Sequence, residues 1–195
     1  MKIVNLGEEN SALNSYIEEI RDINIQKDSM RFRRNLERIG EVFAYEISKI
    51  LTYSNKEVIT QLGIANCSTY DNQIVIASIM RAGLPLHNGI LNIFDKSQNA
   101  FIAAYRKYGK DNKFSIQIEY ASSPSISDKT LILADTMLAT GSSLVLTYKK
   151  LCETATPEHT HVVCPIASKD GIEYLSKNMP HNKTTLWVGA IDEEL

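Results

Sequence analysis

The stretch Leu131-Ile-Leu-Ala-Asp-Thr-Met-Leu-Ala-Thr-Gly-Ser-Ser143 decides the fold. An apolar run ends in an acid, and a Thr-Gly-Ser-Ser turn follows before a helical segment. The pattern predicts a buried strand, a turn and a helix N-terminus. Asp135 stands at the strand exit, and Ala139 to Ser143 offer small side chains, hydroxyls and free backbone N–H groups, the means by which a helix N-terminus holds an anion. Hydroxyl and phosphate recognition in one short segment suits a phosphorylated sugar. Taken alone, Asp135 could be a turn residue and the serines a helix cap. That reading loses ground as strand, acid, turn and helix follow in order. The chain has neither Gly-x-x-x-x-Gly-Lys-Ser/Thr nor Gly-x-Gly-x-x-Gly, so this is a different phosphate device.

Working outward, strand and helix alternate. Gln73 to Met80 is a continuous apolar run closed by Arg81-Ala-Gly-Leu-Pro85, a buried strand with its exit loop. Further strands are expected at Ala100 to Tyr105, Thr130 to Asp135, His161 to Ala167 and Thr184 to Val188. Helices are expected at Leu84 to Phe94, Ser142 to Glu153 and Gly171 to Lys177. Toward the N-terminus, Phe32, Leu36, Ile39, Phe43, Ile47 and Ile50 recur at helical spacing, predicting a long amphipathic helix from Asp28 to Tyr53 capped by Asp28 or Ser29. A shorter helix from Ser11 to Ile20 precedes it. The fold class is therefore α/β, a parallel sheet covered by helices on both faces, with N-terminal helices. Its ligand belongs beyond the carboxyl ends of the strands. Between Tyr105 and Thr130 the polar, irregular composition predicts a hairpin or arm projecting from the sheet, serving as a flap or an oligomer contact. One domain over residues 1–195 is expected, with no repeat or linker.

The bulk numbers narrow the classes. At 195 residues and 44% hydrophobic content the chain supports one sizeable core. A formal net charge of −2 provides no global basic field for nucleic acid. Cys67, Cys152 and Cys164 are odd in number and widely spaced, which predicts reduced thiols and a cytoplasmic protein. The N-terminus turns acidic too early for a signal peptide, and no apolar run reaches membrane-spanning length. His159 and His161 share a strand face in the i, i+2 sense, but no third metal ligand has matching spacing. Ser142 and Ser143 lack a histidine partner and a Gly-x-Ser-x-Gly frame, so neither reads as a nucleophile.

Asp135-Thr-Met-Leu-Ala-Thr-Gly-Ser-Ser143 resembles the phosphoribosyl pyrophosphate (PRPP) signature of type I phosphoribosyltransferases, and its internal Met-Leu-Ala-Thr-Gly resembles the version found in the uracil phosphoribosyltransferases. Ile79-Met-Arg-Ala-Gly-Leu84 resembles that family's pyrophosphate loop, and Ala104-Tyr-Arg106 its second PRPP-binding arginine segment. Ile20-Arg-Asp22 with Phe32-Arg-Arg-Asn35 resembles its opening. The order of motifs agrees from about Ile20 to Leu195. The resemblance implies transfer of ribose 5-phosphate from PRPP to uracil, giving UMP and pyrophosphate, a step of pyrimidine salvage.

The resemblance also distributes roles. Ala139, Thr140, Gly141, Ser142 and Ser143 would hold the 5-phosphate, with Thr136, Met137 and Leu138 in the same PRPP segment. Asp135 would accept hydrogen bonds from ribose hydroxyls and favour positive charge on the sugar. Arg81, whose fork suits pyrophosphate, and Arg106 would neutralise the leaving group. Without the resemblance, Arg106, Lys107 and Lys110 read equally well as a solvated basic loop. Mg2+ would arrive with PRPP, held by substrate oxygens and water, because no carboxylate cage is visible and no metal ligand is assigned to the protein. A homo-oligomer is expected, with no nucleic acid and no membrane as partner, and a nucleotide such as GTP as a candidate effector.

Two departures stand out. Thr136 replaces the proline common in the uracil enzymes, a change in local stiffness more than in charge. In that family the chain continues past the segment resembling Trp187-Val-Gly-Ala-Ile-Asp-Glu-Glu194 into a loop that recognises the base. Uracil recognition is therefore expected beyond Leu195, and the sequence is expected to be incomplete at this end. Two alternatives share the fold: a PRPP- or nucleotide-sensing regulatory protein that binds nucleic acid, using Arg31, Arg33, Arg34 and Arg38, and a phosphoribosyltransferase for another base. Glu37 and Glu41 interrupt that arginine cluster.

Overall fold

A computed structural model describes residues 1–108 and 114–194, and for 106–108 and 114–116 the backbone alone. The elements in chain order are β1 (Lys2–Asn5), α1 (Ala12–Arg21), α2 (Ser29–Ser48), β2 (Tyr53–Thr60), β3 (Gly63–Tyr70), β4 (Ile74–Met80), α3 (Leu84–Ile93), β5 (Gln98–Tyr108), β6 (Phe114–Ser122), β7 (Thr130–Ala134), β8 (Met137–Leu138), α4 (Ser142–Leu151), β9 (His159–Ser168), α5 (Lys169–Asn178) and β10 (Thr184–Asp192). The main sheet runs β1-β10-β9-β7-β4-β5-β6, with β8 beside β9. All its pairings are parallel except β5 with β6.

Both faces of the central strands are covered, which is why their sequences are continuously apolar rather than alternating. Val75, Ala77, Leu131 and Leu133 join a core under α4 and α5. Ile74, Ile76, Ile132 and Ala134 join a second core under α1, α2 and α3. The α2 and α3 helices meet at two glycines: a Cβ on Gly40 would lie 2.4 Å from the Leu86 carbonyl oxygen, and one on Gly89 would lie 1.9 Å from that of Glu37. Ser11 caps α1, and the Asp28 carboxylate caps α2 by accepting from the Met30 and Arg31 N–H groups.

Within the expected arm at 105–130, β5 pairs antiparallel with β6 and the two form one edge of the main sheet; β5 begins earlier, at Gln98, β6 ends at Ser122, and residues 109–113 lie outside the described residues. β5 runs past the last β4 pairing, Met80 with Ala103, by five residues, so the β5–β6 pair extends beyond the sheet's C-terminal edge. Helix α2 ends at Ser48, short of the expected Tyr53. Ile50 is half exposed, and the Tyr53 hydroxyl donates to the Ser48 carbonyl as β2 begins. The β2–β3 hairpin, a separate two-stranded sheet, has no counterpart among the strands expected from sequence. Three of the four arginines on α2 are engaged locally: Arg31 pairs with Glu19, Arg34 with Glu37 at 2.7 Å, and Arg38 bonds Asn35 and lies over Tyr16, while Arg33 is exposed. No helix among the described residues is long and apolar enough to cross a membrane.

Candidate active site

From β4 the chain passes through α3 to β5 on one side, and later returns to β7 on the other. β4 and β7 thus flank the switch point of the sheet, where strand ends open a crevice for ligand. Ser78 and Ala134 are in register across this pair, so Arg81 and Asp135 follow the exits of neighbouring strands at the same end of the sheet.

The loop after β4 is tight. Gly83 N–H donates to the Ile79 carbonyl at 3.1 Å, and a Cβ on Gly83 would fall 2.7 Å from that same oxygen. The fold-back starts α3 and leaves Arg81 exposed at the strand edge. Arg106 lies on β5 three residues beyond the Met80–Ala103 pairing, and its side chain falls outside the described residues.

Asp135 is anchored through its backbone, whose N–H donates to the Val163 carbonyl at 3.1 Å, and its carboxylate accepts from the Thr136 N–H at 2.8 Å. Burial pushes the Asp135 carboxyl up to about 7, against the downward pull of that one hydrogen bond. Beneath it, burial raises the fully enclosed Cys164 thiol well above its usual value, with the Asp135 charge adding to the effect.

Two residues then pair with β9, Met137 with Ile166 and Leu138 with Ala167. Met137 is half exposed, whereas Leu138 is fully buried in the core, so the Leu138 side chain anchors the turn and does not face a ligand. The turn itself brings together half-buried Ala139, exposed Thr140, buried Gly141, and half-buried Ser142 and Ser143. Gly141 adopts φ 73°, ψ −8°, a left-handed conformation suited to glycine, and offers no side-chain cap to the α4 N-terminus that it starts, where the Thr140 hydroxyl accepts from the Ser142 N–H at 3.4 Å. The Thr140 hydroxyl donates to Ser142 Oγ at 3.2 Å. Hydroxyls and N–H groups are therefore concentrated at one helix end beside the Asp135 carboxyl, an arrangement with the donors and acceptor that an anion and a vicinal diol require.

Sequence reasoning missed Ser168 and Gly171, which stand behind this turn at the start of α5. Their only local sign was an N-cap serine three residues before glycine. It also missed the Arg21–Asp192 ion pair, 2.6 Å, which ties the end of α1 to the exit of β10. The two histidines belong elsewhere. They lie at the start of β9, at the opposite edge of the sheet, where His159 bonds the Thr185 hydroxyl and His161 Nδ1 accepts from the Trp187 indole N–H. No cluster of three or more His, Cys, Asp or Glu side chains able to hold a metal occurs among the described residues.

This sheet, with a strand, acid, turn and helix at its switch point, defines a fold of the phosphoribosyltransferase class. Solved structures agree: a protein from Aquifex aeolicus superposes with a TM-score of 0.85 at 24% identity, covering 99% of this chain and 88% of that one. A purine phosphoribosyltransferase from Pyrococcus horikoshii gives 0.55 at 12% identity, covering 82% of this chain and 84% of that one. The narrower assignment comes from sequence. The chain belongs to the uracil phosphoribosyltransferase family, whose model matches residues 8–195. A uracil phosphoribosyltransferase of Porphyromonas gingivalis is 52% identical over 192 residues, 98% of this chain and 88% of the relative. One from Pyrococcus furiosus is 32% identical over 171 residues, 86% of this chain and 72% of the relative.

Proposed function

We propose that Arg81, Asp135 and the 139–143 turn carry the transfer of ribose 5-phosphate from PRPP to uracil, giving UMP and pyrophosphate in pyrimidine salvage in the cytoplasm. The observation that supports this most is the meeting of the three at the β4/β7 switch point of a chain that belongs to the uracil phosphoribosyltransferase family.

The 5-phosphate is held by the Thr140, Ser142 and Ser143 hydroxyls and by N–H groups at the start of α4. Asp135 accepts from ribose hydroxyls. As the C1–O bond to pyrophosphate breaks, positive charge develops on the sugar and negative charge on the departing oxygens. The C1–N bond to uracil then forms, and the ring nitrogen releases its proton to water. Ionised Asp135 favours the sugar cation, and Arg81 with Arg106 neutralises the leaving group. This is catalysis by placement and electrostatics.

A single carboxyl at the strand exit, with no carboxylate cluster beside it among the described residues, suits a divalent ion that is carried mainly by substrate oxygens and water. Mg2+ bound in that way would supply charge neutralisation on the pyrophosphate. The family resemblance places recognition of the acceptor base past the exit of β10, and none of the residues named above is assigned to it. A homo-oligomer and regulation by a nucleotide such as GTP remain part of this proposal.

Titration calorimetry tests the division of roles. With Mg2+ present, Arg81→Ala is expected to weaken binding of pyrophosphate and PRPP by about 10-fold to 100-fold while leaving UMP binding within about twofold. Unchanged affinity for pyrophosphate would overturn the role given to Arg81.

A further inference from the structure

The phosphate turn is short and its sequence is small and polar, so something outside it has to fix its peptide planes. The structure supplies one firm contact. Ser168 Oγ donates to the Ala139 carbonyl at 2.5 Å and accepts from the Gly171 N–H at 2.9 Å. Ser168 is 3% exposed, so its hydroxyl is shielded from solvent. Gly171 completes the contact by having no side chain. A Cβ there would lie 2.6 Å from both the Leu138 and the Ala139 carbonyl oxygens, which are backbone atoms and cannot swing aside. Gly141 leans on the same place, since its own Cβ would be 3.1 Å from the Gly171 carbonyl.

A trans peptide is planar, with its C=O and N–H on opposite sides. Drawing the Ala139 carbonyl toward α5 therefore turns the Thr140 N–H away from α5, to the exposed side of the turn. We propose that Ser168 and Gly171 are positioning residues that set the Ala139–Thr140 peptide, so that the Thr140 N–H faces the 5-phosphate of the sugar substrate. The inference rests on the placement of PRPP given above. It assigns to α5 a part in binding that the motif Asp135 to Ser143 does not contain. Ser168 also caps α5, so capping and positioning have to be separated.

Three variants separate them. Ser168→Ala loses both bonds, Ser168→Asp keeps a cap acceptor but has no proton for Ala139, and Ser168→Thr keeps both. PRPP affinity is read directly by calorimetry with Mg2+, alongside the KM for PRPP, the KM for uracil, kcat and the thermal midpoint. Loss of one well-made hydrogen bond in the binding turn is expected to raise the PRPP dissociation constant and KM about 10-fold in the Ala and Asp variants. The KM for uracil should stay within about twofold, and Thr should restore PRPP binding. Gly171→Ala should weaken PRPP in the same way without touching the hydroxyl.

If Ser168→Ala and Ser168→Asp bind PRPP as the wild type does, whatever their thermal midpoints, Ser168 is only a helix cap and the inference fails. If the wild type binds PRPP but turns over no uracil, the reaction assigned above fails while this inference stands on the binding data. If the wild type binds no PRPP, both fail together.

Discussion

Replacing Asp135 by Asn should make the protein more stable and nearly inactive. Asn keeps an acceptor for the Thr136 N–H, 2.8 Å from the carboxylate, and keeps the side-chain volume. It removes the charge. The folded-state value of about 7 against the ordinary 3.8 means that burial disfavours the ionised carboxyl. The sign follows from linkage. Below about pH 4 the group is protonated in both states and costs nothing, and as pH rises toward 7 the unfolded state ionises first and stability falls. Above pH 7 the full penalty applies. About 3 units at 1.36 kcal/mol each sets a ceiling of about 4 kcal/mol, and the residual solvent contact of the side chain reduces it to about 2 kcal/mol.

Urea denaturation of wild type and Asp135→Asn at pH 8 should show this gain of about 2 kcal/mol, a shift of about 4–8 °C in thermal midpoint. At pH 5 the gain should be smaller, because the penalty is not complete until pH passes the folded-state value. Turnover should fall by about 100-fold or more, because the positive charge developing on the sugar loses its counter-charge. A variant less stable than wild type at pH 8, or a gain that does not shrink by pH 5, would refute the claim that burial destabilises the ionised carboxyl. Undiminished turnover would refute its role in the reaction.

Two further perturbations test the scaffold. Gly89→Ala, which in an open helix would stabilise by about 0.5–1 kcal/mol, should instead cost about 3 kcal/mol by urea denaturation, because the added carbon has no room beside the Glu37 backbone. His161 is pushed down to about 3 by burial, with nearby His159 adding to the effect, so its contribution to stability is complete above about pH 6.5 and is lost as pH falls toward 3. In His161→Gln, whose amide oxygen replaces Nδ1 as acceptor for Trp187, the fall in urea midpoint between pH 6.5 and 4 should be visibly shallower than in wild type.

The parts of the fold that could be read from sequence were those buried on both faces. β4, β7, β9 and β10 appear as unbroken apolar runs because helices cover both sides of the sheet, and the helices between them follow from that alternation. The β2–β3 hairpin was invisible for the opposite reason: Tyr53 to Tyr70 is mostly exposed on both faces, so neither period-2 alternation nor an apolar run marks it. β8 is two residues long and exists only through its pairing with β9. Asp135 and the Thr140 to Ser143 turn were legible because they follow one another along the chain and share one job. Ser168 was not, since its hydroxyl reaches a carbonyl 29 residues away, a contact that no local pattern encodes. The histidine pair showed the reverse, a conspicuous spacing that the fold spends on hydrogen bonds to Thr185 and Trp187.

The central claim is that this chain transfers ribose 5-phosphate to uracil. Its most direct test is pyrophosphate release by the purified protein given PRPP and Mg2+ with uracil, hypoxanthine, adenine or orotate in turn. Release that depends on uracil alone, with UMP formed in equal amount, is the predicted result. Release with another base in place of uracil, or with none of the four, would contradict it.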